Sequence, residues 1–304
     1  MSTIESDNYL AELEPAPAAV ESRSSGSLVS RGRAASFLRG AAKRPGAVIA
    51  GVYVLLVVVC AVAPSLIAPY GGNQINATDF LKGMSLAHPF GTDNLGRDLL
   101  SRMIYSCRPS VVGMLVAVGI ATAGGLSLGV VSGFMGGRVD AVLMRAVDVM
   151  LAIPGLLLAL AIVTAIGFGT VHVSIAVGVG IIPGFARITR AQVLRVRNLP
   201  YVEAARTSGA KLSRVLWRHV LPNSWQPVAV LIVLDFGTAI LSIAALSFLG
   251  FGPQPPSTDL GTLVANGRNY LETAPWLALW PGVAVGLLVF AMNHLAKTME
   301  EVQR

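Results

Sequence analysis

Apolar runs of about 20 residues with few charges recur along this chain, and each is long enough to cross the ~30 Å hydrocarbon core of a bilayer as a helix. Hydropathy places six of them, at roughly 46–68, 111–135, 141–168, 171–189, 226–250 and 276–296. No water is present in that core, so a spanning segment must satisfy its own backbone hydrogen bonds, and helices do this segment by segment. Composition agrees: of 304 residues, 54% are hydrophobic and 13% charged, against about 25% charged in soluble chains. The expected fold class is an all-α membrane protein whose six transmembrane helices form one domain, 46–296.

Charge orients the spans. Residues 1–45 are polar, with Glu5, Asp7, Glu12, Glu14 and Glu21 followed by Arg31, Arg33, Arg39, Lys43 and Arg44, and are expected to be a disordered cytoplasmic tail. The first apolar run starts after Pro45, too late for a secretory signal, so it is expected to be a retained anchor. A net charge of +7 in a soluble chain raises nucleic-acid binding; here the cations flank spans instead. Arg138, Arg145 and the cluster from Arg187 to Arg218 lie on the same side as the N-terminal cations if both termini are cytoplasmic. That places the 190–222 loop and a short tail, 297–304, inside, and the loops 69–110 and 251–275 outside. Within 69–110, Lys82, Arg97, Arg102 and Arg108 run against the bias, offset in charge by Asp79, Asp93 and Asp98.

Several residues inside the spans carry more than hydrophobicity. Gly125, Gly129, Gly133 and Gly137 recur every four residues and mark a bare packing stripe on the second helix. Pro154-Gly155 and Pro183-Gly184 each weaken helical hydrogen bonding at membrane depth, which fits either kinked helices lining a translocation pathway or static kinks. Asp148 and Asp235 are acids in spans. An intramembrane acid faces a cavity or a partner, so each is a candidate pathway residue, with a hydrogen bond to a neighbouring helix as the alternative. Cys60 and Cys107 suggest packing, with no disulfide framework or metal site.

Catalytic signatures are missing. The chain holds no G-x-x-x-x-G-K-[ST] phosphate loop, no G-x-S-x-G elbow and no H-E-x-x-H, and its histidines, His88, His172, His219 and His294, are scattered. No enzyme, no cofactor and no metal site is expected in this chain.

The stretch YVEAARTSGAKLSRVLWRHVLPNS, residues 201–224, is polar between two apolar runs. Asn198 ahead of Pro200 signals a helix start, Glu203 falls in the first turn, and Gly209 breaks the helix after about two turns. A second short helix begins near Leu212, with Leu212, Val215, Leu216, His219 and Val220 at the spacing of one face and Lys211, Arg214 and Arg218 on the other, until Leu221-Pro222 ends it. Such an element either lies on the membrane or docks on a cytoplasmic partner.

Glu203-Ala204-Ala205, three residues, Gly209, and then Leu221-Pro222 resemble the EAA loop of ABC importer permeases. That pattern has an aliphatic residue where this chain has His219, and a His-x-Leu-Pro-Asn ending is similar to the peptide-importer branch. HPFGTDNLGRDLLSRMIY at 88–105, DVMLAIPGLLLALAIV at 148–163 and ALSFLGFGPQPPSTDLGTLVANGRNYL at 245–271 also look like the second permease of dipeptide and oligopeptide systems. The resemblance implies the membrane permease subunit of an ATP-driven importer of peptides or a related solute, with glutathione, nickel chelates and haem as the family's other cargoes. It implies a second, similar permease subunit, two ATPase subunits that hold ATP and Mg2+, and an extracytoplasmic solute-binding protein. Residues 203–205, Gly209, Leu212, Val215, Leu216, His219, Leu221 and Pro222 are then the ATPase-coupling element. Two rival classes remain: an ion-driven secondary transporter using Asp235 and Asp148 as a proton relay, and a structural membrane scaffold.

Overall fold

The computed structural model describes residues 45–303. The N-terminal tail expected to be disordered lies outside these residues, apart from Pro45. Among them, all regular structure is helical. In chain order the helices are α1 (Pro45–Val62), α2 (Pro64–Ile67), α3 (Leu99–Met135), α4 (Gly137–Leu151), α5 (Gly155–Ile166) and α6 (Thr170–Arg197). They continue as α7 (Pro200–Thr207), α8 (Leu212–Val215), a π-helical turn (Leu216–Val220), α9 (Leu221–Phe248), α10 (Leu260–Gly267) and α11 (Trp276–Gln303).

Five of these are long and apolar enough to cross a membrane by themselves, the fourth of them being the continuous helical stretch 212–248. The expected third span, 141–168, is instead a broken one: α4 and α5 meet at 89°. Pro154 explains the break. It has no N–H to donate and its ring crowds the preceding turn, so α4 ends with the Ala152 and Ile153 amides bonded to Asp148 O and Met150 O, and α5 starts afresh with Leu158 N–H on Pro154 O. At 12 residues, about 18 Å, α5 alone is shorter than the hydrocarbon core. Pro183 has no comparable effect, because α6 runs straight through it.

Two boundaries also move. Residues 99–110, expected in a loop, are the first turns of α3, and residues 297–303, expected as a tail, continue α11.

Helices α3 and α6 run parallel and form the most extensive pair. The glycine stripe is their contact. A Cβ at Gly125 would lie 2.6 Å from Phe185, one at Gly129 2.6 Å from the Ala186 carbonyl and Thr189, and one at Gly133 2.9 Å from Val193. Gly137 does not belong to the stripe, since α3 has already ended at Gly136, whose φ is +69°, and nothing lies within 4 Å of a Cβ at Gly137. Around this pair, α1, α5, α9 and α11 complete an apolar core that includes Cys60 and Cys107, both buried and free, as packing residues. Helix α1 lies along α11, with the Tyr53 hydroxyl donating to Ala284 O at 2.8 Å.

The cations and acids of the 69–98 segment pair off. Asp93, 2% exposed, accepts from Arg97 Nε at 2.7 Å and from Arg102 at 2.6 Å, while Lys82 reaches Asp79 at 2.6 Å. The Lys82 ammonium holds the Asp79 carboxyl below the ordinary carboxylate range. Asp98 caps α3, accepting from the Ser101 amide at 2.7 Å, and also meets His88 Nδ1 at 3.0 Å. Asp98→Ala removes that cap inside a buried network and is expected to lower stability by about 1–2 kcal/mol. Thermal unfolding of the purified chain in detergent checks this, with Asp79→Ala, at an exposed pair, as the milder comparison.

Candidate functional site

The segment joining α6 to α9 packs across one end of the bundle. Leu199 is extended, and Pro200 takes the first helical position of α7, where a missing N–H leaves nothing unsatisfied. Asn198, expected to start this helix, instead ends α6. Glu203 sits in the first turn of α7, exposed, where the helix dipole favours an acid.

Helix α7 closes in a Schellman turn. The Gly209 amide donates to Arg206 O at 3.0 Å and the Ala210 amide to Ala205 O at 3.1 Å, a pair of bonds that requires a left-handed residue between them. Gly209 supplies it, with φ +79°. A Cβ on Gly209 would meet nothing within 4 Å, so backbone conformation rather than space demands glycine here.

The second half departs from expectation. Leu221-Pro222 does not end the helix; α8 passes through the π turn straight into α9. Pro222 lacks an N–H and its ring crowds the carbonyl one turn back. The wider π turn, closed by the Leu221 amide on Leu216 O, makes room for it.

Only part of the expected apolar face is covered. Val215 and Val220 are fully buried, Leu216 and His219 half-buried, and Leu212 is 63% exposed. Val215 and Val220 join Val202 of α7 and Val193 and Val196 of α6 in a cluster against Val130 and Phe134 of α3. Two arginines fasten the same corner. Arg206 lies over the Phe134 ring at 5.6 Å, and Arg197 donates to the Gly133 and Phe134 carbonyls at 3.0 and 2.9 Å, satisfying the end of α3.

The loop is thus anchored on its inner face and bare on its outer one. Tyr201, Leu212, Trp217 and Trp225 are exposed by 43%, 63%, 68% and 47%. Ala204, next to Glu203, adds no bulk there. Trp217 and Trp225 escaped the sequence reading, because Trp217 falls on the face with Arg214 and Arg218, and periodicity scores that face as polar. Large aromatics beside arginines on an open surface are the residue types that dominate protein interfaces.

The remaining candidates do not converge. Asp148 pairs with Arg187 of α6 at 2.6 Å, both side chains more than half exposed. Asp235 lies mid-helix in α9, 9% exposed, and lines a cavity of about 370 Å3 between α5, α6 and α9. The alternative reading, a hydrogen bond to a neighbouring helix, finds no partner at Oδ2, which is buried and unbonded among the described residues. Pro154 stands at the bend beside Gly155, which lines this cavity, whereas Pro183 is buried and does not line it. Among the described residues no group of three or more His, Cys, Asp or Glu side chains could hold a metal ion.

Residues 125–303 match the family model described as "Binding-protein-dependent transport system inner membrane component". The chain is 39% identical over 271 residues to the di/tripeptide transport system permease protein DppC of Pseudomonas aeruginosa, covering 87% of this chain and 89% of that one. It is 40% identical over 249 residues to the probable D,D-dipeptide transport system permease protein DdpC of Escherichia coli, covering 82% and 84%. It is 37% identical over 256 residues to the glutathione transport system permease protein GsiD of Pectobacterium atrosepticum, covering 84% and 85%. Among solved structures, a chain of the MetNI methionine ABC transporter in an inward facing conformation shares the fold, with a TM-score of 0.54, 18% identity and coverage of 68% of this chain and 97% of that one.

Proposed function

This chain belongs to the family of binding-protein-dependent transport system inner membrane components, and on that premise we propose that it is the permease subunit of an ABC importer that carries di- and oligopeptides. The relatives named for dipeptides support the cargo class. Glutathione, itself a peptide, is the second reading, favoured by the 37% identity to a glutathione permease protein.

The observation that carries the mechanism is the loop at 198–220, anchored inside and bare outside. A cytoplasmic ATPase subunit that binds ATP and Mg2+ covers Tyr201, Leu212 and Trp217, and a second permease subunit with its own ATPase completes the pore. An extracytoplasmic binding protein delivers the solute at the opposite end, where residues 69–98 and 251–275 lie. Because 212–248 is one continuous helix, displacement of the loop moves α9 as a rod. That couples the ATPase to the cavity beside Asp235, and the bundle switches between its two openings by rigid-body movement. Asp148 is tied to Arg187 and does not line the cavity of Asp235, which speaks against a proton relay between the two acids.

The assembled complex, reconstituted in vesicles with ATP, is expected to take up the dipeptide Ala-Ala. Uptake that collapses with an uncoupler and ignores ATP depletion would instead mark an ion-driven carrier. Orientation is tested separately. Cysteines at Ser85 and Ser257 in a Cys60→Ala, Cys107→Ala background are expected to react with an impermeant thiol reagent in intact cells, and one at Ser213 is not; all three side chains are exposed. The reverse pattern inverts the topology.

A further inference from the structure

The cavity between α5, α6 and α9 has one feature that the transport reading leaves unused. Asp235 brings a carboxyl group to mid-membrane with 9% exposure, and neither a salt-bridge partner nor a hydrogen bond to Oδ2 is present among the described residues. The other buried acids among the described residues are satisfied: Asp93 by two arginines, Asp98 by Ser101 and His88, and Asp259 by Ser247 and the Thr262 amide. Among these, Asp235 stands apart, and an unpaired acid at this depth is costly unless something comes to it.

The surroundings are shaped to receive a ligand. Thr238 and Ser242 follow Asp235 at i+3 and i+7 and line the same cavity, so one stripe of α9 presents a carboxyl and two hydroxyls. The rest of the lining is apolar, with Leu156, Val177, Ile181 and Phe185 among it, and a Cβ on Gly184 would meet nothing within 4 Å, whereas Gly155 and Gly180 bring α5 and α6 together, a Cβ on Gly180 lying 3.3 Å from Gly155 O. The space is about 370 Å3, Gly184 adds no side chain to it, and α5 borders it from the bend that follows Pro154. Every group the stripe offers accepts hydrogen bonds, and none brings positive charge. An ammonium group, with three donors and one positive charge, is the complement.

We propose that Asp235, Thr238 and Ser242 form a transient subsite for the protonated amino group of the cargo as it passes the middle of the bilayer. The proposal rests on the permease reading for the identity of the cargo, but the charge preference of the cavity is measurable without transport. Leu231→Cys in the Cys60→Ala, Cys107→Ala chain, assembled in the full complex in nanodiscs, places a thiol on the lining of the same cavity one turn from Asp235 and leaves the three subsite residues in place. Its reaction rates with the cationic reagent 2-aminoethyl methanethiosulfonate and the anionic 2-sulfonatoethyl methanethiosulfonate are compared, then measured again with Asp235→Asn.

The cation-to-anion rate ratio is expected to fall about tenfold in the Asp235→Asn protein, since a neutral amide of the same shape removes only the charge. Asp235→Glu is expected to keep the ratio high. Ala-Ala is expected to slow the cationic reaction and N-acetyl-Ala-Ala is not, whereas equal protection by sodium chloride at the same concentration would assign the site to inorganic cations and overturn the proposal. An unchanged ratio in Asp235→Asn, or a thiol inert to both reagents, also overturns it. Failure of the complex to import peptides with the charge preference intact would strike the cargo assignment and leave the cation site standing.

Discussion

Gly209→Val is expected to abolish solute uptake by the assembled complex while leaving the spans inserted and the subunits together. The reason is conformational. Gly209 sits at φ +79° between the two hydrogen bonds that close α7, in open space. A β-branched residue in the left-handed region costs about 1–3 kcal/mol, so the turn is expected to give way rather than the membrane domain. Releasing it frees Ala210, which packs on the valine cluster beneath the loop, and shifts α8 relative to α7.

Since 212–248 is continuous, that shift enters α9 directly. Coupling is lost where the two short helices need a fixed mutual angle. Solute uptake and solute-stimulated ATP hydrolysis in vesicles are the measurements, and a loss of about 1.4 kcal/mol in coupling already appears as tenfold. Glu203→Ala, at an exposed first-turn position, is expected to be milder. Arg214→Ala, also exposed, is expected to be near wild type. Normal transport by Gly209→Val in an intact complex would remove the loop from the energy-coupling path. Gly209→Ala grades the strain: without branching at Cβ, alanine bears a smaller left-handed penalty than valine, so it is expected to fall between glycine and valine.

The helices and the loop were legible in the sequence to the extent that local chemistry determines them. Length and hydropathy found the apolar runs, because a spanning helix must be uniformly apolar over about 20 residues whatever it packs against. Pro200, Glu203 and Gly209 announced α7 and its end, since capping is decided within a few residues. What escaped depended on geometry that no window of sequence contains. Pro154-Gly155 signalled a kink in the third span, but nothing in the local sequence fixes a turn as sharp as 89°. Pro222 reads as a helix stop until a π turn is allowed to absorb it. The glycine spacing continued to Gly137, although the helix had already closed at Gly136. For Asp235, depth suggested a polar partner, and only the packing of three helices shows an empty place beside it.

The glycine stripe gives the sharpest structural test, because two glycines ten residues apart on α3 face opposite circumstances. Gly129 lies against α6 so closely that a single added carbon would stand 2.6 Å from the Ala186 carbonyl, a backbone atom inside a packed helix, and equally close to Thr189. Neither neighbour is the free end of a flexible side chain, so the two helices must separate. Gly119 is exposed, and an added carbon there meets nothing within 4 Å. Gly119→Ala is expected to be neutral or to stabilise by about 0.5–1 kcal/mol, since alanine restricts the unfolded backbone and favours helix. Gly129→Ala gains the same helical preference, yet it is expected to destabilise by about 1–3 kcal/mol through overpacking, and Gly129→Leu to prevent assembly. Thermal unfolding and monodispersity in detergent rank the three. Separation of α3 from α6 at this level also reaches the loop, because Gly133, one turn further, carries the carbonyl that Arg197 caps. Gly129→Ala is therefore expected to lose coupled ATP hydrolysis even where protein survives, and equal behaviour of Gly129→Ala and Gly119→Ala would show that the two helices do not meet along this stripe.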